Sequence, residues 1–238
     1  MVYQKIIKEL KKLSDPKRAI SSQRFFKTGK GEYGEGDIFS GIRVPDIRKV
    51  IGEFFERADF EDVQKLIDSK IHEERLAGVL VLVKKYQKNK DKNEKKKIFD
   101  FYLKNSQKIN NWDLVDLSAH KIVGDFLWEK KNKNDLKLFY KMAGSKNMWE
   151  RRIAIVATWR FIQEKDFELT LGISEMLFED PEDLLHKASG WMLREVGKKD
   201  KNVLVDFLEK NVLKMQRVCL RYAIEKFDEK TRKYFLGK

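Results

Sequence analysis

Apolar positions in the first fourteen residues fall at Ile6, Ile7, Leu10 and Leu13 with lysines between them, which is helical spacing. Asp15-Pro16 reads as an N-cap followed by proline at the first helical position, so a second helix runs from there to about Phe25-Phe26. The stretch from Gly29 to Gly41 holds five of the thirteen glycines and is expected to be a flexible connection rather than a helix. Pro45-Asp46 opens a third helix, with Ile47, Val50, Ile51, Phe54 and Phe55 as its apolar positions. Helical patterns then follow one another to the end, separated by short polar joints and one further proline, Pro181. No stretch alternates convincingly with period two. The run Val79-Leu80-Val81-Leu82-Val83 is rich in β-branched residues, but it lies in a longer window, residues 72–87, that fits a buried helix at least as well. The pattern predicts an all-α protein.

The helices also repeat. Arg75-Leu76-Ala77-Gly78-Val79, Asp113-Leu114-Val115-Asp116-Leu117, Arg152-Ile153-Ala154-Ile155-Val156 and Lys187-Ala188-Ser189-Gly190-Trp191 start 38, 39 and 35 residues apart, and Arg217-Val218-Cys219-Leu220 follows 30 further on. Two-helix units of roughly 35–47 residues mark HEAT-like arrays. The expectation is an α-α superhelix, a HEAT-like repeat solenoid over residues 1–238 as a single domain, with a concave basic groove. The alternative is an irregular helical bundle. In this register the inner helices begin with Arg75, Arg152, Lys187 and Arg217. The second unit breaks that row of cations with Asp113 and Asp116.

Charge sharpens the picture. The chain of 238 residues carries 51 lysines and arginines against 38 acids, a formal net charge of +13. That excess favours a polyanionic partner, nucleic acid or a membrane surface, while 12% aromatic residues argue against a disordered basic tail. The lone cysteine, Cys219, permits no internal disulfide and reads as a small core residue. Met1 to Lys5 carries no signal-like apolar run and no window reaches 18 apolar residues, so a cytoplasmic protein without a membrane span is expected.

Several chemical-looking signals lack their context. Gly29-Lys30-Gly31-Glu32-Tyr33-Gly34 spells a dinucleotide-binding motif, but a helix precedes it where a strand is needed, and acids lie where phosphate should sit. His72, His120 and His186 are scattered without ligand spacing, so no metal and no cofactor are expected. His120 follows Asp116 by four residues, an ordinary helix-face contact. Eight lysines between Lys84 and Lys97 read as solvated surface that adds to a general field. Four residues remain. In the repeat register Trp112, Asp116, Arg152 and Trp191 fall within about 140° of one helix face and would converge on a groove lined by the inner helices. Singly, each tryptophan is more often core than site, and Arg152 is an ordinary ion-pair partner for Asp116 or Glu150.

Gly41-Ile42-Arg43-Val44-Pro45-Asp46-Ile47-Arg48, Trp112-Asp113-Leu114-Val115-Asp116, Asn147-Met148-Trp149-Glu150-Arg151-Arg152-Ile153-Ala154 and Lys187-Ala188-Ser189-Gly190-Trp191-Met192-Leu193-Arg194-Glu195 carry a resemblance. Over most of its length the chain resembles the DNA alkylation repair family of AlkD-like DNA glycosylases. The resemblance implies a monofunctional enzyme that hydrolyses the N-glycosidic bond of cationic alkylated purines, chiefly N3-methyladenine and N7-methylguanine, in duplex DNA. It places the functional aspartate on Asp116, the site tryptophans on Trp112 and Trp191, and the site arginine on Arg152. Asp116 would stabilise the oxocarbenium-like sugar and orient water. The tryptophans would flank the sugar, and Arg152 would hold a phosphate. Lys187, Arg194, Arg43 and Arg48, cations of the same segments, are expected to bind DNA alongside Arg152. A monomer suits a protein that wraps DNA. The competing readings are a catalytically silent DNA-binding HEAT protein and a helical scaffold for an acidic protein partner. Asp116 discriminates, because a phosphate binder gains nothing from an acid in its groove.

Overall fold

The chain's helical register is set by which faces must be buried. In the computed structural model, which describes residues 1–130 and 132–238 (side chains of 133 and 134 excepted), every regular element is helical. Among the described residues the sole extended pairing is an isolated bridge between Ile38 and Ile71. The helices are α1 (Val2–Lys11), α2 (Pro16–Phe25), α3 (Val44–Phe54), α4 (Phe60–Ile67), α5 (His72–Lys88), α6 (Lys92–Lys104), α7 (Trp112–Asp116), α8 (Asp125–Lys130), α9 (Lys133–Ala143), α10 (Met148–Ala157), α11 (Trp159–Gln163), α12 (Glu168–Met176), α13 (Asp183–Lys199), α14 (Lys201–Asn211), α15 (Arg217–Ala223) and α16 (Glu229–Leu236). A π-helical turn, His120–Gly124, follows α7. The chain divides into two compact units, residues 1–114 and 115–238.

In the first unit α5 is the spine. Its residues from His72 to Val83 are all buried, and α3, α4 and α6 pack on it. Val79 to Val83, strand-like in composition, is helical because apolar neighbours surround it on every side. Each such buried valine or leucine contributes roughly 1.5–3 kcal/mol. Asp15 caps α2 by accepting the Arg18 N–H at 3.1 Å, as its place before Pro16 predicted. Gly41 has φ +75°, and a Cβ there would lie 2.2 Å from the Asp15 carbonyl oxygen. Only glycine fits where the loop crosses the start of α2.

The glycine-rich stretch is not the flexible connection its composition suggested. It folds back on itself: the Gly29 N–H donates to the Glu32 carboxylate (2.8 Å) and the Gly31 N–H to that of Glu35 (2.7 Å). Two of the motif's amides are therefore occupied by the chain's own acids. Buried Glu73 accepts the N–H groups of Ser40, Gly41 and Ile42, fastening the loop's end to α5.

In the second unit α13 is the spine, packed by α10, α12, α14 and α15. A Cβ on Gly190 would lie 2.4 Å from the Cys219 carbonyl oxygen and 2.5 Å from the Tyr222 Cβ. The glycine lets α13 and α15 approach at backbone distance. Cys219 is a buried core residue whose thiol burial pushes up to about 12, so it is not a reactive thiol.

A repeated joint confirms units of two helices and corrects their register. Arg75 Nη1 donates to the carbonyl of Ser69, Arg151 Nη1 to that of Ser145, and His186 Nε2 to that of Asp180, each six residues back. At the head of each joint a side-chain oxygen accepts the N–H two residues on: Ser69 from Ile71, Ser145 from Asn147, Asp180 from Glu182. Arg75 thus corresponds to Arg151 and His186, not to Arg152 and Lys187. The expected row of inner cations was one residue out of step in its first member. Arg217 is the first residue of α15 rather than one turn in, and its guanidinium donates to the Leu236 carbonyl.

Candidate active site

α7 is five residues long and begins with Trp112. Its first N–H groups are satisfied locally: Asn111 Oδ1 accepts the Trp112 N–H (2.8 Å) and Asp113 Oδ1 accepts that of Leu114 (2.9 Å). A helix this short cannot hold itself, so its neighbours decide where its side chains go.

In the first unit Trp112 is half-buried. Its indole stacks on Phe26, with centroids 5.1 Å apart and planes 11° from parallel, and meets Phe25 edge-on at 5.9 Å. Phe25 is 67% exposed. Phe26 stacks in turn on Phe39 (4.8 Å), and Phe39 on His72 (4.5 Å). His72 bridges two acids, Asp113 at 2.8 Å through Nε2 and Asp37 at 3.2 Å through Nδ1. Asp37 also accepts from Arg75 (2.5 Å) and from the Asn111 amide (3.1 Å). Burial pulls the His72 pKa down, but hydrogen bonds to Asp113 and Asp37 more than offset it and raise it to about 9. His72 is an imidazolium at neutral pH, donating from both nitrogens. Asp37 is held below the usual carboxylate range: burial opposes this, and the His72 and Asn111 hydrogen bonds and the Arg75 charge outweigh it.

In the second unit Asp116 is paired with Arg152. Nε and Nη2 of the guanidinium meet the two carboxylate oxygens at 2.9 and 2.8 Å, a bidentate fork. Nη1 donates to the Leu184 carbonyl at the start of α13. The Arg152 side chain is 6% exposed and that of Asp116 is 20%. Three of the five Arg152 N–H groups are thus engaged within the protein, which leaves two for a further contact. His120, one turn beyond Asp116, hydrogen-bonds to the Asp116 backbone and meets Trp159 edge-on at 4.9 Å. Burial, aided by Lys121, lowers its pKa to about 4, so it is neutral. Trp191 is half-buried on α13.

The expected DNA-binding cations differ in availability. Arg43 and Arg48 are exposed on either side of the α3 N-terminus, with Arg43 paired to Asp46 at 2.8 Å. Lys187 pairs with Asp183 one turn earlier at 2.6 Å. Arg194 is engaged by Glu195 and Glu225. Among the described residues no group of three or more His, Cys, Asp or Glu side chains is arranged to hold a metal ion, and no helix is long and apolar enough to cross a membrane.

The Asp37–His72–Asp113 chain was not anticipated. Its members lie 35 and 41 residues apart with no shared period, and the sequence offers only His72 beside Glu73 and Glu74 as a cation set among acids. Phe26, at the C-terminal end of α2, gave no sign of serving Trp112.

Among curated proteins none matches the chain. Solved structures do match in fold. One described as "Predicted DNA alkylation repair enzyme from Enterococcus faecalis" is 17% identical with a TM-score of 0.71, covering 91% of this chain and 97% of that one. AlkD2 from Streptococcus mutans is 17% identical with a TM-score of 0.57, covering 90% and 98%. The smu.31 protein of Streptococcus mutans UA159 is 19% identical with a TM-score of 0.57, covering 78% and 93%. A family model described as DNA alkylation repair enzyme matches residues 6–227, nearly the whole chain, and the protein belongs to that family.

Proposed function

We propose that the protein is a monofunctional DNA glycosylase that releases cationic alkylated purines, N3-methyladenine and N7-methylguanine, from duplex DNA, with residues 1–238 acting as one enzyme domain. The observation that carries this reading is the half-open Asp116 carboxylate, held rigid by Arg152 in a chain of the DNA alkylation repair family. A methylated purine is positively charged and already a good leaving group, so no strong general acid is needed. As the bond breaks, positive charge develops on the deoxyribose. A preorganised carboxylate facing that charge lowers the barrier and orients water. Trp112 and Trp191 flank the sugar, where indole faces attract cations by roughly 0.5–2 kcal/mol.

Arg152 is the source of that preorganisation. It fixes both carboxylate oxygens, and its two remaining N–H donors suit the proposed phosphate contact. Lys187, Arg194, Arg43 and Arg48 supply the charge of a concave basic groove that draws in the duplex. The test is release of N7-methylguanine and N3-methyladenine from alkylated duplex by the protein and by Asp116→Asn. Release by the unaltered protein and its loss in the variant is the expected result. Equal release by both removes Asp116 from the mechanism, and none by either leaves a DNA-binding protein without this chemistry.

A further inference from the structure

A buried chain of charge ties the glycine-rich loop to the helix that carries Trp112. Asp37 comes from the loop, His72 and Arg75 from the first turn of α5, and Asn111 and Asp113 flank Trp112 itself. The contacts close into a ring. His72 holds Asp113, whose neighbour Trp112 stacks on Phe26; Phe26 stacks on Phe39, and Phe39 on His72. One imidazolium therefore reaches Trp112 by two routes, through the backbone at Asp113 and through the ring stack. His72 is 2% exposed, and its two carboxylate partners come from different segments.

We propose that His72 is a positioning residue for Trp112: clamped between Asp37 and Asp113, it fixes the start of α7 and the angle at which the indole is presented. The inference rests on the reading of Trp112 as a wall of the active site. The charged groups that face His72 come from three segments. From the loop there is Asp37, from the head of α7 Asp113, and from its own helix Arg75 and Glu73, the last engaged by three loop N–H groups. Neutralising the imidazole removes the cation that holds Asp113, whereas Asp37 keeps its bonds from Arg75 and Asn111. α7 would then be free to fray at the residue before which Trp112 sits. The ring contacts cannot substitute, because stacked aromatic pairs contribute only about 0.5–1.5 kcal/mol each.

The test reads Trp112 directly. Subtracting the near-ultraviolet circular dichroism of Trp112→Phe from that of the unaltered protein isolates the Trp112 band, and the same subtraction is made in a His72→Gln background. The expected result is loss of most of the band with far-ultraviolet helicity retained. Release of N7-methylguanine under single-turnover conditions should fall about tenfold to a hundredfold, the scale of a small misplacement of a reacting wall, while affinity for the duplex changes less than about twofold. Asp113→Ala provides the same reading if His72→Gln does not fold, because it cuts the tie to α7 and leaves His72 bridged to Asp37. An unchanged Trp112 band in either variant overturns the proposal, whereas a lost band with an unchanged rate supports it and overturns the reading of Trp112 as a wall of the active site. If the unaltered protein releases no base, the glycosylase reading fails, and the band alone still decides whether His72 positions Trp112.

Discussion

Asp113 and Asp116 stand three residues apart on one short helix, and each bonds a cation brought from elsewhere in the chain. Their surroundings differ. Asp113 divides its carboxylate between the α7 backbone and His72, a cation that is itself enclosed and shared with Asp37. Asp116 turns both oxygens to one guanidinium, and its side chain is 20% exposed against 12% for Asp113. An acid whose partners enclose it can only hold structure together. An acid that a rigid cation holds in place while part of its side chain stays accessible suits the role proposed for Asp116. The difference lies in how the partner is used, since both acids are paired.

The sharpest way to break this comparison is to neutralise each acid in turn. Asp116→Asn should lower base release by about 10²–10³-fold, the usual effect of removing one preorganised electrostatic group. It should also lower stability by a few kcal/mol in urea unfolding, because Arg152 loses a charged partner while buried. Asp113→Asn keeps an acceptor for His72 and should reduce release far less. A larger loss from Asp113→Asn than from Asp116→Asn would reverse the assignment.

Next in size is the stability stored at His72. Its folded pKa is raised from 6.5 to about 9, so its contribution is fully present below pH 6.5 and is lost as pH rises through about 9. Denaturant unfolding should show a decline of order 3 kcal/mol between pH 6.5 and 10, and His72→Gln should flatten that limb. His120 has the opposite sign. Its folded pKa is depressed to about 4, so the unfolded chain takes up the proton first, and stability falls as pH drops from 6.5 towards 4. His120→Gln should flatten the acid limb and leave the alkaline one alone. If both limbs respond to one histidine, the two centres are not independent. The smallest effect belongs to Lys187, paired at the surface with Asp183. Lys187→Ala should change stability by less than about 0.5 kcal/mol and reduce the salt dependence of duplex binding by about one unit of slope; an unchanged slope would remove it from the interface.

Much of the helical order was legible because burial imposes a period. Asp15-Pro16 marked the start of α2, and residues 72–87 marked α5 almost to the residue. The Asp116–Arg152 pairing was also within reach, since the repeat set the two residues one unit apart. The His72 chain was not, because a contact between a loop acid and a helix acid through a histidine has no period to betray it. The register of Arg75 was misread for a related reason. Arg151 and Arg152 are adjacent and alike in letters, and only the hydrogen bond to a carbonyl six residues back tells which of them is the counterpart of Arg75.

That six-residue bond limits how the chain can change over time. A side chain that must reach the carbonyl heading its own joint works as a ruler, and inserting even one residue between Ser69 and Arg75, Ser145 and Arg151, or Asp180 and His186 takes the donor out of reach. A joint without such a ruler carries no such restriction. Length differences between related chains should therefore collect away from these three joints.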